Sequence, residues 1–237
     1  MPKHGKKHRA AVAEAGSGVR RPGEAVALAK KVAHAAFDEA VELHVLTAAD
    51  PRHADQQIRE VASLPHGTGK RVRVMVFAEG EAASLAEQAG ADYVANEDLI
   101  KRIEGGWADF DISIATPDQM GKIGRLGRYL GRKGLMPNPR TGTVVQPEDI
   151  GRAIEGAKKG RTEIRMDRTG IIHTRIGTVS FEEGQLLENL ASVVGTILRA
   201  RPSGIKGQFI RSATISTTMG PSIKLDLSSL QELAASE

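Results

Sequence analysis

Along residues 212–218 apolar and polar positions alternate with the period of two that marks a half-buried strand. Ala213, Ile215 and Thr217 share one face, and Ser212, Thr214, Ser216 and Thr218 share the other. Met219-Gly220-Pro221 breaks the pattern, and Ile223, Leu225 and Leu227 resume it, which predicts two strands joined by a tight connection. Residues 37–47 alternate in the same way. Phe37, Glu39, Val41, Leu43 and Val45 fall on one side and Asp38, Ala40, Glu42, His44 and Leu46 on the other. Asp50-Pro51-Arg52 reads as a turn, and Ile58, Val61 and Leu64 predict a short strand. Residues 163–166 and 170–175 predict a hairpin around Asp167-Arg168-Thr169-Gly170. Helical spacing appears behind Pro22, through Ala25, Leu28, Ala29 and Val32. It appears again over 181–198, where Leu186, Leu187, Leu190, Val193, Val194 and Ile197 define a core-facing helix with Arg199 and Arg201 at its C-terminal end.

The middle of the chain has a different rhythm. An apolar run at 72–77 is followed by a helical stretch at 81–88, a strand at 91–94, a helix at 96–103 capped by Asn96, and a strand at 111–115. Thr116 or Asp118 is placed to cap a further helix, and 150–157 reads as helix. Strands alternating with helices at this spacing predict a small parallel sheet. Glycine-rich segments flank the region, with Gly67 and Gly69 on one side and Gly156 and Gly160 on the other. Gly67-Thr68-Gly69-Lys70 is not a phosphate loop: Leu64 stands where the first glycine belongs, and a strand pattern follows instead of a helix.

Charge narrows the choice of partner. The net charge is +4, and Lys3, Lys6, Lys7, Arg9, Arg20, Arg21, Lys30 and Lys31 load the first thirty-one residues against Glu14 and Glu24. A second basic stretch, free of acids, holds Lys122, Arg125, Arg128, Arg132, Lys133 and Arg140. Its glycines, spaced every three or four residues from Gly121 to Gly134, would allow close packing on one helix face. Beyond it, 135–139 follows an irregular path that is either a solvated loop or one that contacts a partner's backbone. Two basic segments favour a polyanionic partner, and the leader at 1–10 is expected to be mobile or folded against that partner. No aromatic platform for stacked bases is present, since the chain has one Trp, two Tyr and five Phe. The four hydroxyls on the polar face of 212–218 admit two readings. They are an ordinary solvated strand face, or a row of donors and acceptors for phosphate, ribose and base edges.

Catalytic signatures fail one by one. Cysteine is absent, which removes disulfides, thiolate zinc sites and thiol nucleophiles. The seven His show no H-E-x-x-H spacing, and there is no G-x-S-x-G and no G-x-G-x-x-G between strand and helix. Asp109 and Asp111 are the one acid–base candidate, and two solvated carboxylates is the commoner case. No enzyme, cofactor or metal is expected. Neither a membrane span nor a secretion leader is expected, and a cytoplasmic location is.

Taken together, MPKHGKKHR, FDEAVELHV, SLPHG-GK, ATPDQMGKIGRLGRYLGRKGLMPNPRTGTV and SATISTTMGP resemble the bacterial-type large-subunit ribosomal protein L-one family, the universal uL-one family. The most specific markers are STTMGPS and GRKGLMPNPRTGTV. The resemblance implies a two-domain fold of α/β and α+β class. A discontinuous RNA-binding α+β domain, 1–67 plus 160–237, would carry an inserted Rossmann-like α/β domain, 68–159. It further implies binding of large-subunit ribosomal RNA at the mobile stalk beside the tRNA exit site, and assistance to release of deacylated tRNA. Repression of the protein's own operon messenger RNA through a similar RNA structure is also implied. The protein would act as a monomer within the subunit. Thr218, Met219 and Gly220 match the family's T-M-G, with Ser212, Thr214 and Ser216 on the strand leading to it and Phe37 lining the same surface. The family's K-F-D-E-T is Ala36-Phe37-Asp38-Glu39-Ala40 here, so contacts from a Lys and a Thr side chain are lost or replaced. Asp167, Arg168 and His173 are further RNA candidates. Lys122, Arg125, Arg128, Arg132 and Lys133 are candidates for tRNA or other RNA, and Gly67, Gly69, Gly156 and Gly160 for hinges. The rivals are a nucleotide-using α/β enzyme and a nucleic-acid-binding regulator outside the ribosome.

Overall fold

The computed structural model describes residues 5–235, the side chain of Arg140 apart, so Lys3 of the basic leader lies outside the described residues. The chain runs α1 Lys6–Ala15, β1 Val19–Arg20, α2 Pro22–Val32, β2 Ala40–Thr47 and β3 Arg59–Ser63. It continues β4 Val74–Phe77, α3 Glu81–Gln88, β5 Tyr93–Val94, α4 Glu97–Glu104, β6 Ile112–Ala115, α5 Met120–Ile123, α6 Gly127–Leu130 and α7 Ile150–Gly160. β7 Arg161–Arg165, β8 Ile171–Thr178, α8 Glu183–Arg199, β9 Ile210–Thr217, β10 Ile223–Leu225 and α9 Leu227–Ala235 complete it. Two compact units result, one from the segments up to Gly69 and from Arg161 on, the other Lys70–Gly160. The class is mixed, α+β in the first unit and α/β in the second.

In the first unit a five-stranded sheet has the order β1-β10-β9-β2-β8. β2 is an inner strand, antiparallel to both β9 and β8, and its two faces differ sharply. Val41, Leu43 and Val45 are fully buried on one side, and Ile172 and Ile176 of β8, Ala213 and Ile215 of β9, and Ile223 and Leu225 of β10 join them. α2 contributes Ala25, Val26, Ala29 and Val32 to this core, and α8 contributes Leu186, Leu190, Val193, Val194 and Ile197. Each buried Val, Leu or Ile among them contributes about 1.5–3 kcal/mol by leaving water, and each Ala less. The helices cover one face of the sheet and leave the other open.

Several expectations change. The leader is not free of the fold: from Lys6 it forms α1, whose Ala11 and Ala15 are buried in the core. β2 begins at Ala40 and not at Phe37, because Glu39 draws the preceding loop onto its carboxylate. β7 and β8 are not a regular hairpin. β7 pairs along its whole length with β3, Arg59 opposite Arg165 through Ser63 opposite Arg161. Its backbone link to β8 is the isolated bridge of Met166 with Ile172, beside a hydroxyl contact of Thr162 with Thr174 at 3.0 Å. Leu227 opens α9 instead of extending β10, because Asp226 caps the helix by accepting from Ser229 N at 2.9 Å. Neither α9 nor the parallel pairing of β1 with β10 was expected.

The second unit holds a three-stranded parallel sheet, β5-β4-β6, apolar on both faces. α3 and α7 pack Ala82, Ala86, Ile150 and Ile154 on one face, while Ile103, Ile123, Leu126 and Leu130 fill the other. Asn96 caps α4 by accepting from Leu99 N at 2.8 Å. Thr116 caps no helix with its side chain and precedes a single 3-10 turn. Asp109 is solvated, at 60% exposure, but Asp111 is not, and both bind Arg73 while Asp111 also binds Lys70. Burial works against the Asp111 charge, and these donors overcome it to set its pKa at about 2. A Cβ built at Gly121, Gly124, Gly127 or Gly131 meets nothing within 4 Å, so these glycines face outward and not into close packing. Ile123, Leu126 and Leu130 make the packed side of that stretch. Gly156 lies inside α7, held by helical hydrogen bonding, and is not linker. Gly67, Gly69 and Gly160 do take positive φ, 71°, 73° and 103°.

The first crossing out of the sheet unit is anchored by a fully buried Asn189 on α8. Its Oδ1 accepts from His66 N at 3.1 Å, and its Nδ2 donates to Gly67 O at 3.0 Å and to Ile176 O at 2.7 Å. Asn189→Ala strands three backbone groups and should lower stability by about 2–4 kcal/mol in denaturant unfolding of the full chain. Ser192→Ala, which loses one exposed bond to Ser63 O, should cost under about 1 kcal/mol.

Candidate nucleic-acid interface

The open face of the five-stranded sheet is built by strand alternation. β9 turns Ser212, Thr214 and Ser216 outward, β2 turns Glu42, His44 and Leu46, β8 turns Ile171, His173 and Arg175, and β10 turns Lys224. Register sets these into rows. His173, His44, Thr214 and Lys224 lie side by side across four strands, and Arg175, Glu42 and Ser216 form the next row. Among the described residues no protein group bonds the Ser212 or Thr214 hydroxyl. Polar residues therefore dominate a broad face that is not covered by the unit's own helices.

At one end of this face two loops meet on a buried carboxylate. Glu39 Oε1 accepts from His34 N at 2.9 Å and Ala35 N at 2.7 Å, and Oε2 accepts from Met219 N at 3.0 Å. Burial works to raise the Glu39 pKa, and the amides of Met219, Ala35 and His34 outweigh it, so the net shift is downward. The loop carrying Phe37 and the Met219-Gly220 connection are thus tied to one charge. Phe37 is 57% exposed and Met219 53%, a costly display for large apolar groups that have no cover within their own unit.

Gly220 is there for space. A Cβ at this position would stand 2.3 Å from Thr217 Oγ1. The Thr218 hydroxyl is already engaged, accepting from Ala40 N at 2.9 Å, while Thr218 N donates to Ala40 O at 3.1 Å. Thr218 therefore extends the pairing of β2 with β9 by one residue. Replacing it with Val would remove the acceptor of Ala40 N and so alter the loop itself.

Asp167 closes the turn between β7 and β8. Its Oδ1 accepts from Thr169 N and Ile171 N, each at 2.8 Å, and both oxygens accept from the Thr169 hydroxyl. Burial opposes its charge, and these donors, with His173, bring its pKa to about 2. Arg168 stands exposed at the tip of the turn. His173 lies on the open face, 3.5 Å from Asp167 Oδ2.

The structure thus gathers Phe37, Ser212, Thr214, Ser216, Thr218, Met219, Gly220, Asp167, Arg168 and His173 on one unit. It adds residues that were not singled out. Glu39 fell on the apolar side of its alternation, and a charge there was the signal of a buried acceptor. His44, Glu42, Arg175 and Lys224 needed the strand register, which pattern alone does not supply. His8 of α1 bonds the Met219 carbonyl through Nδ1 at 3.2 Å, which sets the basic helix beside the same loop.

In the other unit Lys122 pairs with Glu79, and Arg125 Nε donates to Lys122 O at 3.3 Å. Among the described residues Arg128, Arg132 and Lys133 are exposed and make no ion pair. A cleft at the carboxyl ends of β4 and β5 is lined by Glu79, Glu87, Glu97 and Glu104 together with Lys101, Lys122 and Arg125. Its charges are mixed, and without a glycine-rich turn between strand and helix it lacks the cradle that nucleotide phosphates require. Among the described residues no group of His, Asp and Glu is arranged to hold a metal ion, and no helix is long and apolar enough to cross a membrane.

Comparison with known proteins agrees with the motif resemblance. The sequence model of the ribosomal protein L1p/L10e family matches residues 29–221. The chain is 59% identical to large ribosomal subunit protein uL1 of Thermomicrobium roseum, over 99% of this chain and 98% of that one. It is 55% identical to the uL1 of Chloroflexus aggregans over 98% and 99% of the two chains, and 54% identical to that of Dehalococcoides mccartyi over 96% of each. Neither similarity depends on one motif, since both run across the two units. The chain belongs to the ribosomal protein L1p/L10e family, a family of structural, non-enzymatic ribosomal proteins.

Proposed function

We propose that the protein is a constituent of the large ribosomal subunit that binds its ribosomal RNA through the open face of the five-stranded sheet and the two loops joined at Glu39. The observation that carries this reading is the pairing of exposed Phe37 and Met219 with one buried carboxylate at the end of a hydroxyl-bearing face. The loops are already tied to Glu39 before binding, which lowers the cost of ordering them in the complex. Met219 and Phe37 supply apolar surface for ribose and base, the hydroxyls supply polar contacts, and Gly220 admits RNA backbone close to the chain. Arg168, Arg175, Lys224 and the cations of α1 supply charge for phosphate.

On this reading residues 1–67 with 160–237 form the RNA-binding domain and 68–159 the inserted one. Arg128, Arg132 and Lys133 offer the inserted domain a charged surface for tRNA leaving the ribosome. The protein assists that release, and it represses its own operon messenger RNA when that RNA presents the same shape as the ribosomal site. It works as a monomer within the subunit, in the cytoplasm. Gly67, Gly69 and Gly160 are the positions at which the crossings bend.

A titration across a salt series tests the reading, with the large-subunit stalk RNA fragment against a scrambled duplex of equal length. Binding to the fragment should survive salt that abolishes binding to the scramble. Equal affinity and equal salt slope would reduce the sheet to a merely basic surface. Residues 1–67 joined to 160–237 should bind the fragment within about threefold of the full chain, and a folded version that fails to bind would assign the contact elsewhere. Glu39→Gln sets an amide N–H against one of three N–H donors and should weaken RNA binding by about 1–3 kcal/mol, although Glu39 itself is buried. Because the folded pKa of Glu39 is lowered, its hold on the loops is complete above the ordinary glutamate range and is lost as pH falls through the lowered value. The Met219 amide resonance should therefore stay unchanged down to about pH 5 and shift only in stronger acid.

A further inference from the structure

A chain of side-chain hydrogen bonds crosses three strands of the open face. His44 Nδ1 lies 2.8 Å from His173 Nδ1, His44 Nε2 lies 3.0 Å from the Ser216 hydroxyl, and His173 Nε2 lies 3.5 Å from Asp167 Oδ2. Two ring nitrogens at such a distance share one proton, so two proton arrangements satisfy the chain. Asp167 selects between them. It is anionic at neutral pH, and its charge 3.5 Å from Nε2 favours the His173 tautomer that carries the proton there. A neutral His173 then has a bare Nδ1, which accepts from His44 Nδ1–H. His44 Nε2 is left bare in turn, and it accepts the Ser216 hydroxyl proton. The opposite arrangement aims a lone pair of His173 at Asp167, the nearer carboxylate at 3.5 Å, whereas the favoured one leaves the His44 Nε2 lone pair 3.9 Å from Glu42.

We infer that this relay fixes the polarity of Ser216, so that its oxygen presents only lone pairs outward and takes a hydrogen-bond donor of the RNA, a ribose 2′-hydroxyl or a base amino group, in preference to a phosphate oxygen. The inference rests on the RNA reading of the sheet face. His44 and His173 are positioning residues, and Ser216 makes the contact. Ser212 and Thr214 have no such relay, and their hydroxyls turn to suit either a donor or an acceptor.

Protonation of His44 reverses the device. Its Nε2–H would donate to Ser216, whose own proton would then point outward. The charged groups on this face are Glu42, 3.9 Å from His44 Nε2 on the same strand, His173, Asp167 and Arg175 from β8, and Lys224 from β10. Burial first, and His173 second, lower the His44 pKa from 6.5 against the pull of Glu42, so His44 itself charges only below its ordinary range. A second proton on His173, which makes its Nδ1 a donor toward His44, reverses the relay in the same sense.

Two measurements on the full chain decide the matter. Nitrogen NMR of the histidine-labelled protein at about pH 7.5 should find the proton of His44 on Nδ1 and that of His173 on Nε2, and the reverse tautomers would overturn the inference. The stalk RNA fragment is then scanned with single 2′-deoxy substitutions and with inosine for guanosine. One position should show a loss of about three- to tenfold on removing the donor, a 2′-deoxy position for the sugar and an inosine position for the base. That loss should vanish in Ser216→Ala and should shrink in the wild type as pH drops to about 5.5, whereas in His173→Phe it should be small at both pH values. Specific binding with no donor loss that Ser216→Ala relieves would sink this inference and leave the RNA reading standing. Equal binding of fragment and scrambled duplex would remove both.

Discussion

A buried carboxylate is expensive unless its lone pairs are filled, and Glu39 fills its lone pairs with the backbone of two different loops. That requirement organises one end of the sheet. β2 begins after Glu39 because the preceding residues are turned back to reach it, and the connection between β9 and β10 comes down on its other oxygen. Neither loop has enough apolar contact to hold its shape alone. The charge replaces a core there, and it leaves Phe37 and Met219 free to face outward instead of packing inward.

Much of the architecture was legible in the chain. The alternation in β2 and β9, the helical stripe of α8 and the Asn96 cap each state a local preference that tertiary structure respects. Partnering was less legible. Nothing local in β7 says that it pairs with β3, 98 residues away at Ser63 and Arg161, and not with the β8 that follows it. The same gap hid the role of His44, whose outward direction was evident but whose neighbours are set by register. The leader misled in another way. A basic, polar composition resembles disorder, yet Ala11 and Ala15 suffice to seat α1 on α2, with Lys31 paired to Glu14.

Glycine had two meanings that composition cannot separate. At Gly220 it makes room, since any Cβ would collide with Thr217. From Gly121 to Gly131 it fills nothing, because the apolar residues between carry all the packing. A bare helical surface edged by Arg128, Arg132 and Lys133 resists approach by neither bulk nor like charge when the visitor is a phosphate backbone.

The pairing of β3 with β7 brings the points where the chain leaves and re-enters the sheet unit into one hydrogen-bonded ladder. During synthesis this has a temporal consequence. Residues 70–160 emerge with all the strands of their own sheet and can close it unaided. The five-stranded sheet cannot be completed until β8, β9 and β10 have left the exit tunnel, since the neighbours of β2 all follow the insertion. A nascent chain therefore carries no RNA-gripping face for most of its elongation, and the capacity to bind arrives near the end of its synthesis as a single event.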